Sequence, residues 1–428
     1  MVLGVICIAL LLGGGYFLST LPVGKRIAAH TTGLFVQVPT APVRLALPPP
    51  TGPHAIGTTA LHLIDDQRDD PWVTGQPREL MVSVWYPTQT SAGYLLAPYM
   101  DQPVAQHYTQ ISLEDLGIPP TTVDLSGIRT HGWQDAAVDT RLGAQPVVLF
   151  SPGGSQSRAL GTTLIQDLAS RGYIVVAIDH TYEAPVVVFP DGRIDQAEMP
   201  NSEDTLQKMI AVRVQNTRFV LDQLERIRDG ENPTADGRPL PEGLPDALDL
   251  TNMGMFGHSA GGFTSAQTMY EDTRLDAGVN LDGSLGYRIS EGIWGEVTEQ
   301  GLDRPFLIFG AGFSGAERLP HTSVYAPDWQ SFWEHSTGWK LNLHLPEGEH
   351  FSFTDHQVFL PALEERFDLP DWLLTRMIGG IDPNRSVQTQ QDYIAAFFDQ
   401  HLRGKQQPLL EGAAPHYPDV DFVHNTDQ

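Results

Sequence analysis

Short runs of buried-strand character, separated by stretches with helical or irregular spacing, constrain this chain more than any other feature. Residues 146–150 and 174–178 are continuously apolar, and 253–256, 277–281, 305–309 and 341–345 are further strand candidates. A run without polar alternation is covered on both faces, as strands of a parallel sheet are. Between the first two runs, residues 159–171 place Leu160, Leu164, Ile165 and Leu168 on one helical face, with Gly172 as the stop. A longer helix is expected over 204–228, with Leu206, Met209, Ile210, Phe219, Leu221, Leu224 and Ile227 on its apolar face. This alternation predicts an α/β fold: a mostly parallel central sheet with helices on both faces.

The flanks read differently. Residues 58–64 and 80–85 alternate at period two around the turn residues Asp69, Asp70, Pro71 and Gly75, which predicts an antiparallel hairpin. Residues 88–144 read as an irregular insertion and 229–249 as a surface loop rich in Pro and Gly. The last helix is expected over 386–402, capped by Ser386 and closed by Gly404. Residues 25–57, ending in Pro48, Pro49 and Pro50, read as an extended linker. A catalytic domain is therefore expected over 58–404, followed by a tail over 405–428.

Residues 1–24 carry no charged side chain. As a helix they reach about 36 Å, enough for a hydrocarbon layer of about 30 Å. A membrane anchor, a secretory signal or a buried helix all fit, and the first two place the protein at a membrane or outside the cell. Lys25 and Arg26 follow the apolar run, which favours cytoplasmic retention, whereas the apolar start favours export. Asp and Glu number 52 against 26 Lys and Arg, a net charge of −26. That excess repels a phosphate backbone, so nucleic acid is not an expected partner. Cys7 is the single cysteine, which excludes an intrachain disulfide and a cysteine-based zinc site. No metal site is legible, and no cofactor is expected.

Chemistry is carried by Gly257, His258, Ser259, Ala260 and Gly261, a G-x-S-x-G that follows the strand 253–256 and precedes the helix-compatible residues 263–270. A serine hydroxyl needs a base within hydrogen-bond reach and an acid to orient that base. His350, just beyond the strand 341–345, is the expected base, ahead of His356 and of His344, whose side chain should point to the opposite face from Leu343 and Leu345. Asp282, at the tip of the strand 277–281, is the better placed acid, with Glu317 as the alternative. The oxyanion donors are expected to be the N–H groups of Ala260 and Gly154, because Pro152 in the loop after 146–150 has no N–H.

These residues resemble the plasma-type platelet-activating factor acetylhydrolases and their bacterial α/β-hydrolase relatives. That family carries G-H-S-x-G-G, matched by residues 257–262, with its acid at the separation seen here, 282 − 259 = 23. Tyr86 and Pro87 match a pair that ends an early strand, and 147–180 is similar in its strand, its S-x-G loop, its D-L-A-S helix and the acid-His pair closing its second strand. The resemblance implies an α/β-hydrolase fold and a calcium-independent esterase that removes short or oxidised acyl chains from phospholipid-like esters. The chain departs from the family at Pro152, where His is common, and in the insertion 88–144. A general carboxylesterase or polyester hydrolase is the alternative, and a catalytically inactive scaffold would need a broken triad. A lipid substrate would bring the protein to an interface, for which Trp329, Phe332, Trp333 and Trp339 are available; core packing explains them equally. Oligomeric state is not legible.

Overall fold

The computed structural model describes residue 43 and residues 45–423, apart from 115–121, 203, 314–318, 368 and 370. Residues 1–24, on which the anchor and signal readings rest, lie outside the described residues. Among those described, no helix is long and apolar enough to cross a membrane.

The strands in chain order are β1 (Ile56–Asp69), β2 (Pro77–Pro87), β3 (Leu96–Pro98), β4 (Arg129–Gln134), β5 (Gln145–Ser151), β6 (Ile174–Asp179), the ribbon β7 (Val186–Val188) and β8 (Ile194–Gln196), β9 (Leu248–His258), β10 (Ala277–Leu281), the ribbon β11 (Gly286–Arg288) and β12 (Ile293–Trp294), β13 (Phe306–Gly310), β14 (Lys340–His344) and β15 (Asp421–Phe422). Eleven of them form one sheet in the order β15-β14-β13-β10-β9-β5-β6-β2-β1-β4-β3. From β14 to β6 every neighbouring pair is parallel, as the apolar runs predict. β1 and β2 form the expected hairpin, with Thr58 opposite Trp85.

Side chains alternate between two cores. Val147, Leu149, Val176 and Ile178 face helices α3 (Thr205–Arg228) and α4 (Ala260–Glu271). Val148, Phe150, Val175 and Ala177 face α2 (Thr162–Ser170) and α7 (Pro383–Arg403) on the other side. Each fully buried aliphatic side chain contributes roughly 1.5–3 kcal/mol, so both faces of the sheet are held independently. Three further helices matter for the site: α1 (Gln102–Glu114), α5 (Pro327–His335) and α6 (His356–Phe367).

Several expectations need correction. The insertion 88–144 is not irregular: it supplies β3, α1 and β4, and β4 runs parallel to β1 from Gly132 opposite Ile56. Its polar sequence hid a strand held by backbone pairing rather than by apolar burial. The stretch 45–57 is extended but packed, not a free linker. Leu45 and Leu47 are buried, Thr51 donates its N–H and hydroxyl to Asp167 Oδ1 at 2.7 and 2.9 Å, and Gly52 N–H reaches Ser170 Oγ at 2.9 Å. The tail includes β15, which extends the sheet antiparallel to β14. Helix α7 begins at Pro383, and its cap is Asp382, whose side chain accepts the Arg385 N–H at 3.0 Å. Ser386 instead lies buried within the helix, accepting from Gln390; Gly404 closes it at φ 64° as expected. The loop 229–249 contains a helical turn, Leu244–Ala247, with both end residues buried.

Candidate active site

Strand β9 delivers Ser259 at φ 54° and ψ −121°, a sparsely populated conformation that costs on the order of 1–3 kcal/mol and persists only where its surroundings enforce it. Here they do: Ser259 N–H donates to Leu281 O at 2.8 Å, and Ser259 O accepts from Gly262 N–H at 2.9 Å. The flanking glycines are required by close approach. A Cβ on Gly261 would lie 1.9 Å from Ser151 O, and one on Gly262 would lie 1.9 Å from Asn280 Oδ1. The chain can therefore turn from β9 directly into α4 with Ser259 at the corner.

The next strand, β10, ends at Leu281, and Asp282 follows in a left-handed conformation, φ 55°. Asn280 braces this turn by exchanging hydrogen bonds with Gly283 N–H and O, both at 2.7 Å. Asp282 Oδ2 meets His350 Nδ1 at 2.5 Å. Oδ1 accepts from Ala311 N–H and His321 Nδ1, each at 2.7 Å. Burial alone would raise the pKa of this carboxyl, but His321 and His350 outweigh it and hold Asp282 well below the ordinary carboxylate range. Glu317, the alternative acid, lies outside the described residues.

The other histidines are engaged elsewhere. His356 Nδ1 meets Thr354 Oγ1 at 2.8 Å, and burial lowers its pKa to about 4. His344 Nε2 donates to Gly312 O at 3.2 Å. His180 is a satisfied core histidine, as its position beside Asp179 suggests, bonded to Ser151 Oγ and Asn216 Nδ2 at 3.0 Å each.

Three participants escaped sequence reasoning. His321 has no strand tip or motif to announce it. Its ring stacks on Trp329 at 4.0 Å, and Trp329 Nε1–H holds Gly283 O at 2.8 Å. Trp329 and Phe332 are thus core residues and not interface anchors. His258 bridges the turn at Ser259 to His350: its Nε2 donates to His350 O at 3.0 Å, and its Nδ1 lies 3.3 Å from Gln156 Oε1. A carbonyl can only accept, so Nε2 carries the proton. Burial, reinforced by His350, keeps this imidazole neutral. The third participant is the pair Arg213 and Glu183, both fully buried, beneath the loop that follows β5. A charged residue in step with Met209, Ile210, Val214 and Thr217 on the inner face of α3 was the available signal.

In that loop Gly153 N–H is taken by Gln156 Oε1 at 3.1 Å, and Ser155 adopts φ 54°. The insertion reaches this end of the sheet. Tyr108 OH accepts Ser157 N–H at 2.9 Å, and Tyr99, Met100 and Val104 share a core with Leu160, Phe351 and Phe359. The surface loop 229–249 lies at the other end of the sheet. It precedes β9, whose far end carries Ser259, and eleven residues of strand separate the two by roughly 30 Å. It packs instead against the segment before β5, where Val138 N–H donates to Glu242 O at 2.9 Å.

A profile of the family described as platelet-activating factor acetylhydrolase, isoform II, matches residues 43–287. A probable 1-alkyl-2-acetylglycerophosphocholine esterase of Arthroderma benhamiae is 28% identical over 404 residues, covering 89% of this chain and 95% of that protein. The platelet-activating factor acetylhydrolase of Bos taurus is 24% identical over 281 residues, 60% of this chain and 57% of its own. Among solved structures, a ferulic acid esterase from Streptomyces cinnamoneus superposes with a TM-score of 0.70 at 35% identity, covering 89% of this chain and 99% of that one.

Proposed function

The chain belongs to the platelet-activating factor acetylhydrolase family, isoform II, and is an esterase of α/β-hydrolase fold; from that premise we propose that Ser259, His350 and Asp282 form its catalytic triad. The observation that carries this reading is the 2.5 Å contact between Asp282 Oδ2 and His350 Nδ1, at the strand ends where Ser259 stands on its strained corner. Ser259 Oγ attacks the ester carbonyl while His350 Nε2 takes its proton. The tetrahedral oxyanion is met by the N–H groups of Gly154 and Ala260. Collapse breaks the ester bond, and the departing alcohol receives the proton from His350. Water then enters by the same route, giving up its proton to His350, which returns it to Ser259 Oγ as the bond to the acyl group breaks and the acid leaves.

The substrate we infer is a phospholipid-like ester with a short or oxidised acyl chain, in line with the names of the fungal and bovine relatives. The ferulic acid esterase likeness favours a second reading, hydrolysis of phenolic carboxylic esters. A panel holding 1-alkyl-2-acetylglycerophosphocholine, long-chain phospholipids, long-chain triglycerides and methyl ferulate separates them. The first reading expects kcat/KM to be highest for the acetyl phospholipid, unchanged by excess chelator. Preference for methyl ferulate establishes the second, and a strict calcium requirement or no ester hydrolysis at all sinks both. Ser259→Ala should lower kcat by about 10⁴ or more; retention of a tenth of the turnover would remove Ser259 from the mechanism. The segment 1–24 would hold such an enzyme at a membrane or export it, where lipid esters are met. The insertion 88–144 would shape the acyl pocket, since loops around a rigid sheet carry specificity.

A further inference from the structure

The buried pair Arg213 and Glu183 sits where no substrate reaches it, yet every guanidinium donor is committed in one direction or the other. Nε donates to both oxygens of Glu183 at 2.8 and 2.9 Å, and Nη2 also reaches Glu183 Oε1. On the opposite side Nη1 donates to Pro152 O at 2.5 Å and lies 3.3 Å from Ser151 Oγ, while Nη2 donates to Gly153 O at 2.9 Å. The five N–H groups of a guanidinium are thereby all used. Residues 152 and 153 belong to the loop after β5, so a cation anchored in α3 grips two successive carbonyls of that loop.

Peptide planarity turns this grip into an aim. The carbonyl of Gly153 and the N–H of Gly154 belong to one trans peptide unit, so the two groups point in opposite directions. With Gly153 O drawn down onto Arg213, the Gly154 N–H is directed up and away from the buried pair. The preceding N–H, on Gly153, is already bound to Gln156 Oε1. Carboxylate, guanidinium and carbonyl also form a chain, and a carbonyl that accepts from a cation makes its own peptide N–H a stronger donor.

We propose that Arg213, locked by Glu183, is the positioning residue of the oxyanion hole: it sets the orientation and the polarity of the Gly154 N–H without touching substrate. The inference rests on the Ser259 mechanism proposed above and deepens it. The inner donors of the pair are spent on the carbonyl of that peptide and on the one before it. Replacement of a buried ion pair by apolar groups is often neutral for stability, which allows the positioning role to be separated from folding.

The test uses Arg213→Lys, which keeps a charge but loses the fork, and the double variant Arg213→Met with Glu183→Gln, which leaves no buried ion alone. Turnover is expressed per active site, counted by fluorophosphonate titration, so that misfolded protein does not register as slow enzyme. Affinity for a short-chain trifluoromethyl ketone, which forms a tetrahedral adduct, reads the oxyanion hole directly. Both variants should lose about 10²-fold in kcat per site, the scale of a missing oxyanion donor, with KM within about threefold and the ketone weakened in parallel. Glu183→Gln, which keeps the guanidinium but frees its outer side, should lose about tenfold and decides the matter if either Arg213 variant yields too little folded protein. Per-site kcat and ketone affinity within threefold of wild type overturn the proposal. Ser259→Ala, assayed alongside, separates the two failures: its retained activity sinks the underlying mechanism, whereas a dead Ser259→Ala beside fully active Arg213 and Glu183 variants sinks the positioning role alone.

Discussion

The loop after β13 and the loop after β14 each bring a histidine to the same carboxylate, and they do so in opposite ways. His321 sets its Nδ1 on one oxygen of Asp282 and buries its ring against Trp329, leaving the side chain 5% exposed. His350 sets its Nδ1 on the other oxygen but keeps its side chain 25% exposed. Burial lowers the pKa of His321, yet Asp282, aided by Asp328, outweighs it and raises the value overall. That shift favours the protonated ring, and so does the aromatic face it stacks on. The partly open ring is the one that solvent and substrate can approach. Two histidines on one acid thus differ: one is enclosed against Trp329, and the other, on the mechanism proposed above, is the ring that shuttles a proton.

The widest separation between the two loops is expected in turnover. His350→Ala should lower kcat by about 10⁴ or more, and Asp282→Asn by about 10⁴, because the imidazole loses the partner that fixes its tautomer. Glu317→Gln should leave kcat nearly unchanged. Steady-state assays on a short-acyl ester decide this, and a larger loss for Glu317→Gln than for Asp282→Asn would move the acid to the loop after β13.

His321→Gln should cost much less, about tenfold in kcat, and should betray itself through pH. The turnover cost comes from Asp282 Oδ1, which keeps the Ala311 N–H but loses its second partner. Stability responds too. A group whose folded pKa is raised contributes stabilisation that is complete below its unfolded value, about 6.5 for histidine, and is lost as pH climbs through the raised value. His321→Gln should flatten that dependence in urea titrations. A dependence as steep in the variant as in the wild type would mean that His321 bears no charge in the folded protein.

The same contrast explains what could be read in advance. The elbow, Asp282 and His350 were legible because each follows an apolar strand, where chain order and strand tips constrain position. The parallel core was legible because double-sided burial leaves unbroken apolar runs. His321 was not, since nothing local marks a histidine that reaches a strand tip from a long loop. Strand β4, Arg129–Gln134, was hidden because backbone pairing holds it and its side chains are half polar. Residues 249–252 in β9 were hidden because they are Asp, Leu, Thr and Asn beside the apolar stretch that was recognised, and the register with β5 breaks between Asp249 and Met253. Arg213 was visible in principle, as a charge on a helix face otherwise made for the core, but a face read only for its hydrophobes passes over it.

Little effect on turnover is expected at Asp355, five residues beyond His350. It is fully buried at the start of α6, its Oδ1 accepts Thr163 N–H at 3.1 Å, and burial raises its pKa to about 7. An unfolded Asp titrates near 3.9, so between about pH 4 and pH 7 the folded chain binds a proton that the unfolded chain has released. The contribution of this group to stability therefore falls as pH rises through that window and levels off above it. The full difference amounts to at most about 4 kcal/mol, from about 1.4 kcal/mol per unit. Asp355→Asn should lose this downward contribution, so that its stability relative to the wild type rises from pH 5 to pH 8, with kcat within about twofold, because the residue touches neither Asp282 nor the His350 ring. Urea unfolding at pH 5 and pH 8 measures this. A variant as pH-sensitive as the wild type would place the titrating group elsewhere, and a tenfold loss of kcat would mean that the burial of this loop, and not only the contact with Asp282, sets the position of His350.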